Sequence, residues 1–254
     1  MDILPTSQDG SQLEFELLFK DERQSVLFLN SSRRHLQKNL CSKVKKELSV
    51  FFAKHDKFCN LQKARNYSLG RWVGYELLKI LFGYEFWNAS KIVNSNQESS
   101  LGKPILFYGD KQLGHSISLS HCNYTSLAGF SAGQPIGVDL EVIRFRADSF
   151  SDLLLTANEK LLVEHNKSRR NELLNVFWVG KEAVSKVVGR GLQIPLLQFE
   201  IELNLRRLYV DKMPCRLMME NRVELLFWIN FFHRQVEEDS YTIAVASEQL
   251  KPKG

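Results

Sequence analysis

The sequence predicts an α+β protein made of two stretches of similar plan. Three observations carry that expectation. Residues 62–82 and 173–192 place apolar side chains at helical spacing. Many shorter apolar or alternating runs lie between turn residues, as strands do. Each half of the chain shows a helix followed by strands, a coarse echo with no short repeat beneath it. At 254 residues there is room for one large domain or two small ones, each with an ample core.

Composition narrows the function classes. The chain is 44% hydrophobic and 25% charged, as ordinary folded proteins are. No apolar run has the length of a membrane span, so no membrane partner is expected. The opening MDILPTSQDG has neither the basic region nor the apolar core of a secretory signal. Cys41, Cys59, Cys122 and Cys215 are scattered, with no CxxC and no Cys/His metal spacing. They read as reduced thiols of a cytoplasmic protein. The net charge of +5 mildly favours an anionic partner without naming one.

In chain order, residues 11–30 predict two short strands around a charged turn. Residues 31–54 predict a helix: Leu36, Leu40, Val44 and Leu48 recur every four positions, with Ser31 or Ser32 as cap. Its other face carries Arg33, Arg34, Lys38, Lys43, Lys45 and Lys46, which is either a solvated face or a docking surface for something acidic. In the helix at 62–82, Arg65 and Arg71 sit near the start, where backbone N–H groups favour anions, although plain surface arginines explain them equally well. The polar loop 94–100 leads into LGKPIL at 101–106, a stiff turn presenting Lys103. Residues 116–121 predict a strand ending in Ser120 and His121; an adjacent hydroxyl and imidazole would suit a phosphate, or the histidine is structural.

Residues 124–130 and 136–142 flank SAGQP and predict a β-hairpin. In its second strand, IGVDLEV, Ile136, Val138, Leu140 and Val142 face one way and Asp139 and Glu141 the other. Two ionised carboxylates on one face repel each other. On a wet face they are harmless, and in a cleft they call for a cation. Hard carboxylate oxygens suit Mg²⁺, which keeps places for water and phosphate. TANE at 156–159 is a capping-box start for a helix over 157–165, so Glu159 has a structural explanation. A polar linker over 166–171 precedes the helix at 173–188. There Leu173, Phe177, Gly180, Val184, Val187 and Val188 form the buried stripe. Glu182 and Lys186, four apart, share the open face. Gly189 and Gly191 close the helix. Side by side, the acid and the amine could hold a metal ion and a phosphate, or they could be a solvated ion pair. Beyond Leu192, strands are expected at 199–205, 208–212, 223–232 and 241–247.

The two richest motifs are GVDLE at 137–141 and FWVGKEAVSKVVGRGL at 177–192. Together, in this order and spacing, they resemble the 4′-phosphopantetheinyl transferases. GKP at 102–104, SLSH at 118–121 and the chain length are similar to the larger, monomeric type named for the surfactin synthetase activator. The resemblance is clear over about 100–195 and weaker at 62–82, and residues 1–60 carry little recognisable pattern.

The resemblance implies two similar α/β halves, 1–135 and 136–254, related by pseudo-twofold symmetry, with coenzyme A in the cleft between them. It implies Mg²⁺-dependent transfer of the phosphopantetheine arm of coenzyme A to a serine of an apo acyl carrier protein or peptidyl carrier domain. The product of that step is adenosine 3′,5′-bisphosphate. Asp139, Glu141 and Glu182 would hold Mg²⁺. Lys186 would contact the pyrophosphate and Lys181 the phosphate region. Lys103 and Pro104 would sit by the adenine and ribose, Ser120 would reach a phosphate, His121 the 3′-phosphate, and Arg65 a further phosphate. Glu182 is the expected base, with a metal-bound water as its competitor. Cys122 stands where the family more often has serine, and needs no chemical role. The competing reading is a non-catalytic module binding carrier proteins or nucleic acid. The basic helix favours it, while the three acids and the lack of interleaved aromatics oppose it.

Overall fold

The computed structural model describes residues 13–20, 24–31, 44, 61–97, 100, 102–123, 125–189, 193–219 and 222–249. The fold is α+β, in two compact units: residues 1–93 with 104–133, and residues 94–103 with 134–254. Apart from Val44, which is helical and buried, the basic helix expected at 31–54 lies outside the described residues, except that Ser31 ends a strand. Among the described residues, no helix is long and apolar enough to cross a membrane.

The first unit holds strands β1 (Leu13–Lys20), β2 (Gln24–Ser31), β3 (Ser90–Asn94), β4 (Pro104–Tyr108), β5 (Lys111–Cys122) and β6 (Thr125–Ser131). They form one sheet in the order β1-β2-β6-β5-β4-β3. Helix α1 (Leu61–Ala89) packs on it and is interrupted at Gly83 (φ 82°, ψ 178°), one residue past the predicted end. Leu69, Trp72, Val73, Leu77 and Leu78 of α1 meet Leu27, Ile117, Ala128 and Phe130 in the core. The Tyr75 hydroxyl accepts the Ile92 N–H at 3.0 Å, tying helix to strand.

The second unit holds β7 (Ile136–Val142), α2 (Asp148–Leu154), α3 (Ala157–His165), α4 (Arg170–Val188), β8 (Phe199–Ile201), β9 (Met213–Met219), β10 (Arg222–Val236) and β11 (Asp239–Glu248). Its sheet runs β7-β11-β10-β9-β8. Helix α4 lies across β7 and β11 and also touches β8, β10, α2 and α3, so residues on nearly every side of it are buried. The capping box expected at Thr156 is present, with reciprocal Thr156–Glu159 hydrogen bonds.

Two expectations are overturned. Strands β6 and β7 do not form a hairpin: β6 pairs with β2 and β5, whereas β7 pairs with β11. The four residues between them cross from one unit to the other, and turn-rich spacing alone does not distinguish a hairpin from a crossover. Residues 208–212 are a turn rather than a strand, held by the bidentate Arg207–Asp211 ion pair four residues apart. The strand itself is β9, whose Met213, Cys215 and Leu217 alternate into the core; Pro214 disguised that alternation.

Gly137 sets how closely α4 approaches β7. A Cβ there would stand 1.9 Å from the Ala183 carbonyl oxygen, a backbone atom that cannot swing aside. Gly137→Ala is therefore expected to push the helix off the strand and cost at least about 2 kcal/mol. Urea denaturation checks this, and an unchanged midpoint would contradict the packing.

Candidate active site

The close approach at Gly137 brings the two motifs together. Residues 137, 139 and 141 of β7 face α4, so Asp139 and Glu141 do not lie on a wet sheet face. Asp139 is 8% exposed. The Lys186 ammonium donates to Asp139 Oδ1 at 2.8 Å and to the Val138 carbonyl at 2.9 Å. β7 is an edge strand of its sheet, and Lys186 occupies part of that edge. One turn back, Glu182 is partly buried, and among the described residues its Oε1 has no hydrogen-bond partner. Glu182 and Lys186 therefore share the face of α4 that meets Asp139, not an open one.

Burial, and then the neighbouring Asp139 charge, push the Glu182 carboxyl up to about 7, against a lesser opposing pull from Lys186. An acid whose folded value lies above its unfolded value loses stability as pH rises from about 4.5 through about 7. The metal-free protein is thus expected to melt lower at pH 8 than at pH 5, by at most about 3 kcal/mol from this group. Glu182→Gln should flatten that slope in a thermal melt series, and an equally steep slope in the variant would refute the assignment.

An orphaned carboxylate oxygen beside a second carboxylate fits a hard cation. Asp139 and Glu182 supply that pair. Glu141 is not with them: among the described residues, no three His, Cys, Asp or Glu side chains converge on a metal position. Glu141 instead faces Arg144 at 3.6 Å and Arg146 at 3.8 Å. Its backbone carbonyl accepts from Asn175 Nδ2 at 3.0 Å, pinning the end of β7 to α4.

Lys181 is placed differently from the phosphate contact that the resemblance implies. It is fully buried and donates to Glu159 Oε2 and to the Leu154 carbonyl, both at 2.6 Å. Glu159 also accepts the N–H groups of Thr156 and Ile201, each at 2.8 Å. Burial drives the Glu159 carboxyl up and the Lys181 ammonium down, while their mutual attraction opposes both shifts. With three donors around one carboxylate we assign an ion pair that joins α3, α4 and β8, and Lys181 has no reach to a ligand from there.

Lys103 lies in the second unit beside the end of α4. Gly189 closes that helix in the left-handed region (φ 81°, ψ 7°), as its position predicts. A Cβ on Gly189 would come within 3.3 Å of the Lys103 ammonium, so the glycine leaves that cation its place by the helix C-terminus. Gly191 lies outside the described residues.

Pro104, Ser120, His121 and Arg65 belong to the first unit. Pro104 begins β4. Ser120 is buried and His121 exposed. Helix α1 packs on the Ile117, Leu119 and His121 side of β5, because Cβ atoms at Gly70 and Gly74 would meet these three side chains. Ser120 therefore points to the opposite sheet face, and the adjacent hydroxyl and imidazole do not close on one phosphate. The backbone of Arg65 is in the second turn of α1, and its side chain lies outside the described residues. Arg71 is not near an open helix start; it is 2% exposed and stacks 4.9 Å over the Tyr67 ring.

Residues 135–246, which hold β7 and α4, match the model of the 4′-phosphopantetheinyl transferase superfamily. The transferase match covers the second unit's sheet and its acid–lysine helix. A curated relative, 4′-phosphopantetheinyl transferase ffp of Bacillus subtilis, is 31% identical over 90 residues. That overlap is 35% of this chain and 39% of the relative, so the chain spans about two fifths of the length of the relative it matches. The crystal structure of Thermotoga maritima holo-[acyl-carrier-protein] synthase aligns with 46% of this chain and 64% of that chain, at 18% identity and a TM-score of 0.35.

The sequence did not point to Arg144 and Arg146 as partners of Glu141, or to Glu159 as the partner of Lys181. RFR directly after the acidic strand was a readable signal for the first. The second had no local signal, since the two residues are 22 apart.

Proposed function

We propose that this chain transfers the 4′-phosphopantetheine group of coenzyme A to a serine of an apo acyl carrier protein or peptidyl carrier domain. The serine oxygen bonds to the phosphorus of the pantetheine phosphate. The pyrophosphate bond to that phosphorus breaks, and adenosine 3′,5′-bisphosphate leaves. The observation that carries the reading is the gathering of Asp139, Glu182 and Lys186 within the matched stretch.

In this reading Asp139 and Glu182 hold Mg²⁺, with Glu141 as a third ligand once it leaves its arginines. The bound ion would neutralise charge on the pyrophosphate and the leaving group. Lys186, paired to Asp139, sets the cation nearest the acids and supplies positive charge toward the pyrophosphate. Glu182 is assigned as the acceptor of the serine proton, with a metal-bound water as its competitor for that role. Lys103, Pro104, Ser120, His121 and Arg65 are assigned to the nucleotide and phosphates of coenzyme A, on the resemblance. The reading includes a monomeric, cytoplasmic enzyme.

The test is intact mass spectrometry of apo carrier proteins after incubation with this protein, coenzyme A and Mg²⁺, with a chelator control. The expected result is a gain of one phosphopantetheinyl group that disappears with chelator. No gain on fatty-acid, polyketide or peptide carriers, by a protein that still binds coenzyme A, would favour the binding-only reading instead.

A further inference from the structure

We infer that Arg144 and Arg146 are positioning residues that hold Glu141 away from the Asp139–Glu182 pair, so that a cation gains its third carboxylate only by displacing them. The inference rests on the metal reading above and concerns how the site is loaded. In the structure two of the three acids, Asp139 and Glu141, take three side-chain cations. Lys186 takes Asp139, and the two arginines take Glu141, one on each carboxylate oxygen. Glu182 keeps the oxygen that has no hydrogen-bond partner among the described residues.

The two arginines are held differently. Arg146 is 15% exposed at its side chain, and its guanidinium lies 4.9 Å over the Phe150 ring. Its backbone carbonyl accepts from Arg170 Nη1 at 2.8 Å, so the segment after β7 is tied to the first turn of α4. Arg144 is 58% exposed, and its ion pair is the one that salt and solvent loosen. Arg146 is thus the more firmly seated of the two arginines, meeting Glu141 by charge at 3.8 Å rather than by a hydrogen bond, and Arg144 is the outer one. A divalent ion arriving at Asp139 and Glu182 offers Glu141 a stronger partner, at the expense of two ion pairs.

Mn²⁺ serves as the probe, followed by the loss of its free-ion electron paramagnetic resonance signal on the full chain. The variants are Arg144→Ala, Arg146→Lys and the double Arg144→Ala/Arg146→Ala, each with and without Glu141→Gln. The double variant should bind Mn²⁺ roughly threefold to tenfold more tightly when Glu141 is present, and no more tightly when it is glutamine. Arg144→Ala, which leaves the Arg146–Phe150 contact in place, and Arg146→Lys, which keeps a cation but not the guanidinium, should each show a smaller gain of roughly twofold. Unchanged or weaker binding would overturn the inference. So would an equal gain in the Glu141→Gln background, because the arginines would then act through the general field. If the unsubstituted chain binds Mn²⁺ no better than Asp139→Asn does, the metal reading falls and the inference falls with it, without recourse to any arginine variant.

Discussion

Asp139→Asn is expected to lower transfer to an apo carrier by at least about 10²-fold, because removing a charge that holds a divalent ion forfeits several kcal/mol of transition-state stabilisation. The melting temperature should stay close to that of the unsubstituted chain. Asparagine preserves the shape of the side chain, and Lys186 keeps its hydrogen bond to the Val138 carbonyl. The same substitution has a second signature. Asp139 is one of the causes raising the Glu182 carboxyl, so removing its charge should bring Glu182 down toward its ordinary value. The fall in stability between pH 5 and pH 8 should then shrink in the metal-free variant. Carrier modification by mass spectrometry and melts across pH check the two signatures. Full activity in Asp139→Asn would remove the metal role from this acid.

Lys181→Met is expected to destabilise the fold by about 3–5 kcal/mol, since it leaves the Glu159 carboxylate buried with one charge uncompensated. Glu159 is 2% exposed, so solvent cannot replace the lost ammonium. Adding Glu159→Gln should recover part of the loss, because it removes the buried charge while its one amide oxygen still accepts from either the Thr156 or the Ile201 N–H, which bond different oxygens of the carboxylate. Urea denaturation of the single and double variants measures the coupling. Under conditions where Lys181→Met stays folded, its affinity for coenzyme A should match that of the unsubstituted chain, while Lys186→Ala weakens it. A selective loss of coenzyme A binding in Lys181→Met would return that lysine to the phosphates.

Local signals were legible where a single element carries them. The capping box at Thr156, the left-handed close at Gly189, the apolar stripe of α4 and the alternation of β7 all depend on residues within one or two turns of each other. The acids and lysines of the site were found because they lie in two compact motifs. Partnerships across the chain were not legible. Helical spacing put Glu182 and Lys186 on an outer face, yet β7 covers that face, since Gly137 admits the helix so closely. The spacing of β6 and β7 suggested a hairpin, whereas pairing partners about a hundred residues away from β7 claimed that strand for the other sheet.

The sequence by itself determined the α+β class, the helix and strand that hold the candidate site, and the motifs of the stretch, residues 135–246, that matches the superfamily model. These follow from short-range periodicity, caps and motif spacing, which fold locally. Only the tertiary structure decided which charges meet. It buried Lys181 against Glu159, joined Lys186 to Asp139, left one oxygen of Glu182 without a hydrogen-bond partner among the described residues, and turned Glu141 toward two arginines. Electrostatic partnership depends on distance in space and on exclusion of water, and neither is written in the order of residues along the chain.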